Sequence, residues 1–232
     1  MHVLDNPVWH ALTGPHTTVA QRVGFAARYV PGVSVFSALP DDVPPEGWDA
    51  LRDIIGPGGH AFLARKDQLR PPDGWTATVV APCRQMWLPG AVTSDHESRS
   101  TTDPFVPLAA RDVPDMLALV ERTKPGPFEP RTIELGTYLG VRGERKDLVA
   151  MAGERLHPPG FIEISAVCTD TEYRGRGLAS QLVRAIVRGI QNRGETPFLH
   201  LTLENEPARR VYSELGFETR TLLDVIVLEA PA

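Results

Sequence analysis

Tyr173-Arg174-Gly175-Arg176-Gly177-Leu178-Ala179 follows an apolar run and opens a stretch with helical periodicity. Gly175 and Gly177 allow backbone conformations and close approaches that a Cβ would block. The first turn of a helix that follows presents N–H groups without intrahelical partners, at the positive end of its dipole. Such an end binds anions. Arg174 and Arg176 add charge, and their guanidinium forks suit phosphate oxygens. The stretch reads as a loop that grips a phosphate; the plainer alternative is a tight basic turn at the surface.

The flanks favour the loop. Upstream, Phe161-Ile162-Glu163-Ile164-Ser165-Ala166-Val167-Cys168 is rich in β-branched and aromatic residues and reads as a strand, with Ile162, Ile164 and Ala166 on one face. Downstream, Leu178, Leu182, Ile186 and Ile190 recur every four residues, widened by Ala179, Val183 and Val187, and Gly194 is a stop signal. The spacing fits neither the dinucleotide fingerprint G-x-G-x-x-G nor the longer loop that ends in Gly-Lys-Ser/Thr. It is Arg-x-x-Gly-x-Ala, as Arg174, Gly177 and Ala179.

A second strand follows at Pro197 to Glu204, with Leu199, Leu201 and Leu203 opposite His200, Thr202 and Glu204. Asn205-Glu206-Pro207-Ala208-Arg209-Arg210-Val211-Tyr212-Ser213-Glu214-Leu215-Gly216-Phe217 then reads as a helix begun by Asn205 or Glu206 and ended at Gly216. The two blocks, in this order, resemble the GNAT superfamily of N-acetyltransferases, the second being similar to its FR47-like branch.

The resemblance implies an α/β fold in which a GNAT-type mixed, mostly antiparallel sheet is flanked by helices. It implies acetyl-CoA as co-substrate, with the pyrophosphate held by backbone N–H groups of Gly175, Arg176, Gly177, Leu178 and Ala179 beside Arg174. In that family the strand before the loop splays from its neighbour and contacts the pantetheine arm and thioester oxygen. The matching residues are Ala166, Val167, Cys168 and Thr169. Asn205 is placed near the pantetheine amides and Tyr212 near the cofactor sulfur.

Organisation along the chain agrees. Thr93 to Asp103 is polar without apolar periodicity and reads as a linker. It separates an N-terminal α/β domain at 1–92, which carries no cofactor motif, from a GNAT-like domain at 104–232. In the latter, Phe105 to Ala109, Thr137 to Val141, Leu148 to Ala152 and Leu222 to Leu228 read as further strands, and Asp112 to Arg122 as a helix. The apolar density of the last strand suggests an interior position. In the first half, Val33 to Leu39, His60 to Ala64 and Thr76 to Val80 read as strands and Trp48 to Ile55 as a short helix.

With 232 residues the chain can bury a large core or two smaller ones. A net charge of −5 argues against broad nucleic-acid binding, so the arginines of the loop are a local feature. No apolar run is long enough for a membrane span and no signal pattern opens the chain, which makes a cytoplasmic location the expectation. Two cysteines and seven scattered histidines support neither a disulfide framework nor a metal site. The expected partner is a small-molecule or peptide amine, with a homodimer as an option, and no nucleic acid or membrane.

Acyl transfer to an amine needs a neutral amine, a stabilised oxyanion and a proton for the departing thiolate. Tyr212 is the candidate acid, against a core-packing alternative. Glu163 is the first candidate base, since it is a carboxylate on the central strand opposite Ile162 and Ile164; Glu204, His200 or a water chain are alternatives. Cys168 is not expected to be a nucleophile. The competing function is a CoA-binding regulatory or interaction module without catalysis. Specificity loops are expected at Thr123 to Pro130 and Arg155 to Gly160.

Overall fold

A computed structural model describes residues 2–90 and 105–232; the expected linker at 93–103 lies outside the described residues. The first half comprises α1 (Pro7–Leu12), β1 (Ala20–Val23), β2 (Ala26–Tyr29), β3 (Ser37–Ala38), α2 (Pro45–Ile55), β4 (His60–Arg65) and β5 (Thr76–Trp87). The second begins with β6 (Val106–Pro107), α3 (Val113–Thr123), β7 (Tyr138–Arg142) and β8 (Leu148–Glu154). It continues with β9 (Phe161–Thr169), α4 (Leu178–Asn192), β10 (Thr196–Thr202), α5 (Glu206–Glu214) and β11 (Glu218–Glu229). The order of strands and helices in the second half is the expected one.

Eight strands form one sheet in the order β4-β11-β5-β10-β9-β8-β7-β6, and β1-β2-β3 form a smaller one. Every pairing in the large sheet is antiparallel except β9 with β10. The mixed, mostly antiparallel sheet flanked by helices is therefore present. The first half does more than stand beside it: β5 lies between β10 and β11, and β4 closes the edge beyond β11. Chain segments on both sides of residues 91–104 thus share one sheet, and β11 is interior as its apolar density suggests.

Differences from the sequence reading have physical causes. Only Ser37 and Ala38 of the run Val33 to Leu39 form a strand. Gly32 takes φ 83, and the Val33 N–H closes a turn on the Val30 carbonyl. The apolar side chains of this run fill the core from an irregular backbone. Strand β5 runs seven residues beyond Val80, through Pro82-Cys83-Arg84-Gln85, where polar side chains hide the alternation.

Helix α4 explains how the phosphate-loop candidate is held. Leu182, Val183, Ile186, Val187 and Ile190 are buried against β8, β9 and β10, together with Ile162, Ile164, Leu199 and Leu201. Burying each such side chain contributes about 1.5–3 kcal/mol, so the stripe fixes the helix axis on the sheet. Residues that alternate with those on β9 and β10, namely Glu163, Phe198 and His200, face the N-terminal elements. Helix α3 covers the same side with Met116 and Leu119.

Candidate active site

The loop before α4 has the conformation its glycines allow. Gly175 and Gly177 take φ 76 and 74, a region that disfavours residues with a Cβ. Gly177 is the N-cap of α4 and no side chain caps that end. The backbone N–H groups of Gly175, Arg176, Gly177, Leu178 and Ala179 donate to no described residue. Arg174 Nε donates to the Thr169 carbonyl at 3.2 Å and Arg176 Nη2 to the Glu172 carbonyl at 3.2 Å, while Arg176 also lies over the Tyr173 ring. Both arginines brace the loop and leave its backbone donors open. A cleft of about 410 Å³ opens beside Arg176 and Leu178 toward Val141, Gly143 and Val149.

The strand that feeds this loop is bent. Cys168 pairs with Met151 and Ser165 with Gly153, so Ala166 and Val167 share the single residue Ala152. Ala166 takes φ 53, and such a bulge deflects its strand. Strand β9 meets β10 only at Thr196↔Phe161, Pro197↔Ile162 and Phe198↔Glu163, whereas β10 stays in register with β5 as far as Thr202. Beyond Glu163 no ladder joins β9 to β10, and a seam opens in the sheet.

Three expected contact residues line the β9 side. Val167 packs toward the α4 core, and Cys168 is buried beside α3, where burial pushes its thiol up to about 11. Thr169 has a buried hydroxyl without a partner among the described residues.

On α5, Tyr212 is buried edge-on against Phe217, with ring centroids 5.9 Å apart. Its hydroxyl makes no hydrogen bond to a described residue, and burial, with the neighbouring Cys168, pushes it up to about 12. The phenol stays protonated across the neutral range. Asn205 caps α5, its side-chain oxygen accepting the Ala208 N–H at 3.2 Å, which leaves its NH₂ group for other contacts.

Glu163 lies at the parting point and is fully buried. Arg155 donates to it through Nε and Nη2, both at 2.8 Å; the Leu156 N–H donates at 3.3 Å and His200 Nδ1 at 2.7 Å. Four donors fill the carboxylate. Burial alone would raise its pKa, but the Arg155 guanidinium outweighs burial and holds it down at about 2. A carboxylate so held is a poor proton acceptor, so the structure gives Glu163 the character of a strut and not of the free base expected from the sequence. Glu204 is exposed beyond the end of β10.

His200 continues the chain of contacts. Its Nε2 lies 2.9 Å from Gln85 Nε2, which also donates to the Leu4 carbonyl. Gln85 Oε1 accepts from Arg220, and Arg220 pairs with Asp5. Because the Gln85 oxygen faces Arg220, its NH₂ must face His200, so His200 Nε2 accepts and the ring proton sits on Nδ1. This row of side chains runs from the loop after β8, across the seam, to the N-terminal turn. Sequence reasoning missed Arg155, Gln85, Arg220 and Asp5 as members of it. No local pattern marks them: Gln85 stands beside Arg84 in a polar stretch of β5.

Comparison with known proteins agrees with this geometry. The family model of FR47-like protein matches residues 138–224. A crystal structure from Novosphingobium aromaticivorans, named for the GNAT family of acetyltransferases, is 36% identical over 100% of both chains, with a TM-score of 0.87. A GCN5-related N-acetyltransferase from Kribbella flavida is 18% identical over 97% of this chain and 95% of that one, with a TM-score of 0.60. A tandem GNAT protein from the clavulanic acid biosynthesis pathway is 12% identical over 89% and 78%, with a TM-score of 0.54. These last two share the fold. No curated protein matches the sequence. With more than a third of its residues shared along the entire length of the first of these structures, and with the fold in place, the chain belongs to the GNAT family of acetyltransferases.

Proposed function

We propose that the protein moves an acetyl or other short acyl group from acyl-CoA to a primary amine by direct attack, with no covalent acyl-enzyme. The observation that carries this reading is the set of five backbone N–H groups, Gly175 to Ala179, left without acceptors among the described residues at an uncapped helix end beyond the open seam. A pyrophosphate suits such an end. Val167, Cys168 and Thr169 on one side and the Asn205 amide on the other would flank the pantetheine arm. The bound thioester supplies an activated acyl carbon and a thiolate leaving group.

Tyr212 holds the proton for that sulfur. Full transfer from a phenol at about 12 to a thiol of ordinary pKa, about 8.5, is uphill by about 5 kcal/mol. Tyr212 therefore donates a hydrogen bond as charge develops, and its proton moves only as the amine releases one. Glu163 anchors Arg155 and His200 and shapes the amine side. The amine attacks in its neutral form, and the proton it then releases leaves through water. Cys168, with its thiol held protonated at neutral pH, is unsuited to form an acyl-enzyme.

The filled Glu163 carboxylate also favours the rival reading, a CoA-binding module without catalysis. Thiol release from acetyl-CoA across a panel of primary amines decides between them. Amine-dependent release supports transfer; stabilisation by CoA with no release from any amine supports the module.

A further inference from the structure

Tyr138 of β7 pairs with Gly153 of β8, and Gly153 pairs with Ser165 of β9. The last β9–β10 pair is Phe198 with Glu163. Two residues further on, Ser165 and His200 stand on opposite sides of the seam, in the second open row, which is the first on the Glu163 face of the sheet. Gly153 permits Tyr138 to reach across β8, because a Cβ at Gly153 would overlap Cγ, Cδ1 and Cε1 of the tyrosine ring. The ring lies edge-on to Phe128, with centroids 5.7 Å apart, and packs in one cluster with Ala166 and Cys168 of the bulged strand.

Its hydroxyl sits in the field of Arg155, Glu163 and Glu154. The residue is 1% exposed, yet the hydroxyl has no partner among the described residues. Burying an unpaired hydroxyl is costly, and phenylalanine would fill the same space without that cost. Around it Glu163, His200 and Gln85 all have their partners. A spare hydroxyl beside a saturated network, where the seam opens, suits a contact made only when substrate is present.

We propose that the Tyr138 hydroxyl orients the incoming primary amine by accepting one of its N–H groups. This rests on the transfer reading above. In this geometry the amine lone pair stays free for attack; a phenol that donated to nitrogen would block it. Burial pushes the phenol upward, so it stays neutral and takes no proton from the amine.

The test uses Tyr138→Phe with phenethylamine as probe. Phenethylamine is titrated by calorimetry onto wild-type and variant proteins saturated with CoA, and thiol release from acetyl-CoA is followed with the same amine. The variant should melt at the wild-type temperature or above, bind CoA within about twofold, and bind phenethylamine about tenfold more weakly. Its kcat/KM should fall for the amine and hold for acetyl-CoA. Equal phenethylamine binding by the two proteins overturns the proposal, as does absence of binding by the wild type. A lower melting temperature in the variant marks the hydroxyl as structural and overturns it too. If binding is lost in the variant while neither protein releases thiol, the orienting role stands and the transfer reading fails.

Discussion

The two ends of the open seam are built on opposite principles. At the loop before α4, five successive backbone N–H groups have no acceptor among the described residues. At the parting point, the Glu163 carboxylate accepts from four donors and both ring nitrogens of His200 are engaged. An unsatisfied helix end belongs to a ligand that comes and goes, whereas a saturated buried network rigidifies what it joins. The difference teaches that a buried carboxylate on a central strand is not thereby a base. What surrounds it decides.

The largest effect that would break this contrast is at Arg155. Its removal in Arg155→Ala leaves Glu163 buried and uncompensated, and should cost about 3–5 kcal/mol in urea unfolding; a loss under about 1 kcal/mol would mean the network is loosely held. The same pair has a pH signature. Because the Glu163 carboxyl is lowered from 4.5 to about 2, its stabilisation is complete above about pH 4.5 and is lost as pH falls through 2. Urea midpoints at pH 7, 4.5 and 2.5 measure it.

Next in size is Tyr212→Phe. Loss of a positioned acid should lower kcat by about 10²-fold, with the Kd for CoA nearly unchanged; unchanged turnover rejects the acid role. Gly177→Val sharpens the donor side. A β-branched residue at φ 74 costs about 1–2 kcal/mol, and a loop relaxed out of that conformation should bind CoA about tenfold more weakly. Smallest is Cys168→Ala, which should leave turnover within about twofold if the thiol is only packing.

The same contrast governs what the sequence reveals. The candidate phosphate loop is legible because its parts are contiguous: two glycines, two arginines, a strand before and an amphipathic helix after. The bulge at Ala166 is visible only through resemblance, since no side chain marks it. The Glu163 network needs residues 5, 85, 155, 200 and 220 brought together by the sheet, and no local pattern announces that. Gln85 sits in a strand end that reads as polar, and the strand itself reads seven residues too short. Val33 to Leu39 errs the other way, its apolar content serving the core from an irregular backbone.

The most direct test mixes purified protein with acetyl-CoA, first without an amine and then with one, while thiol release and intact mass are followed. Direct attack predicts no thiol burst and no acyl adduct before the amine is added, then catalytic release once it is present. A stoichiometric burst with an acyl adduct, or no release after the amine, would contradict it.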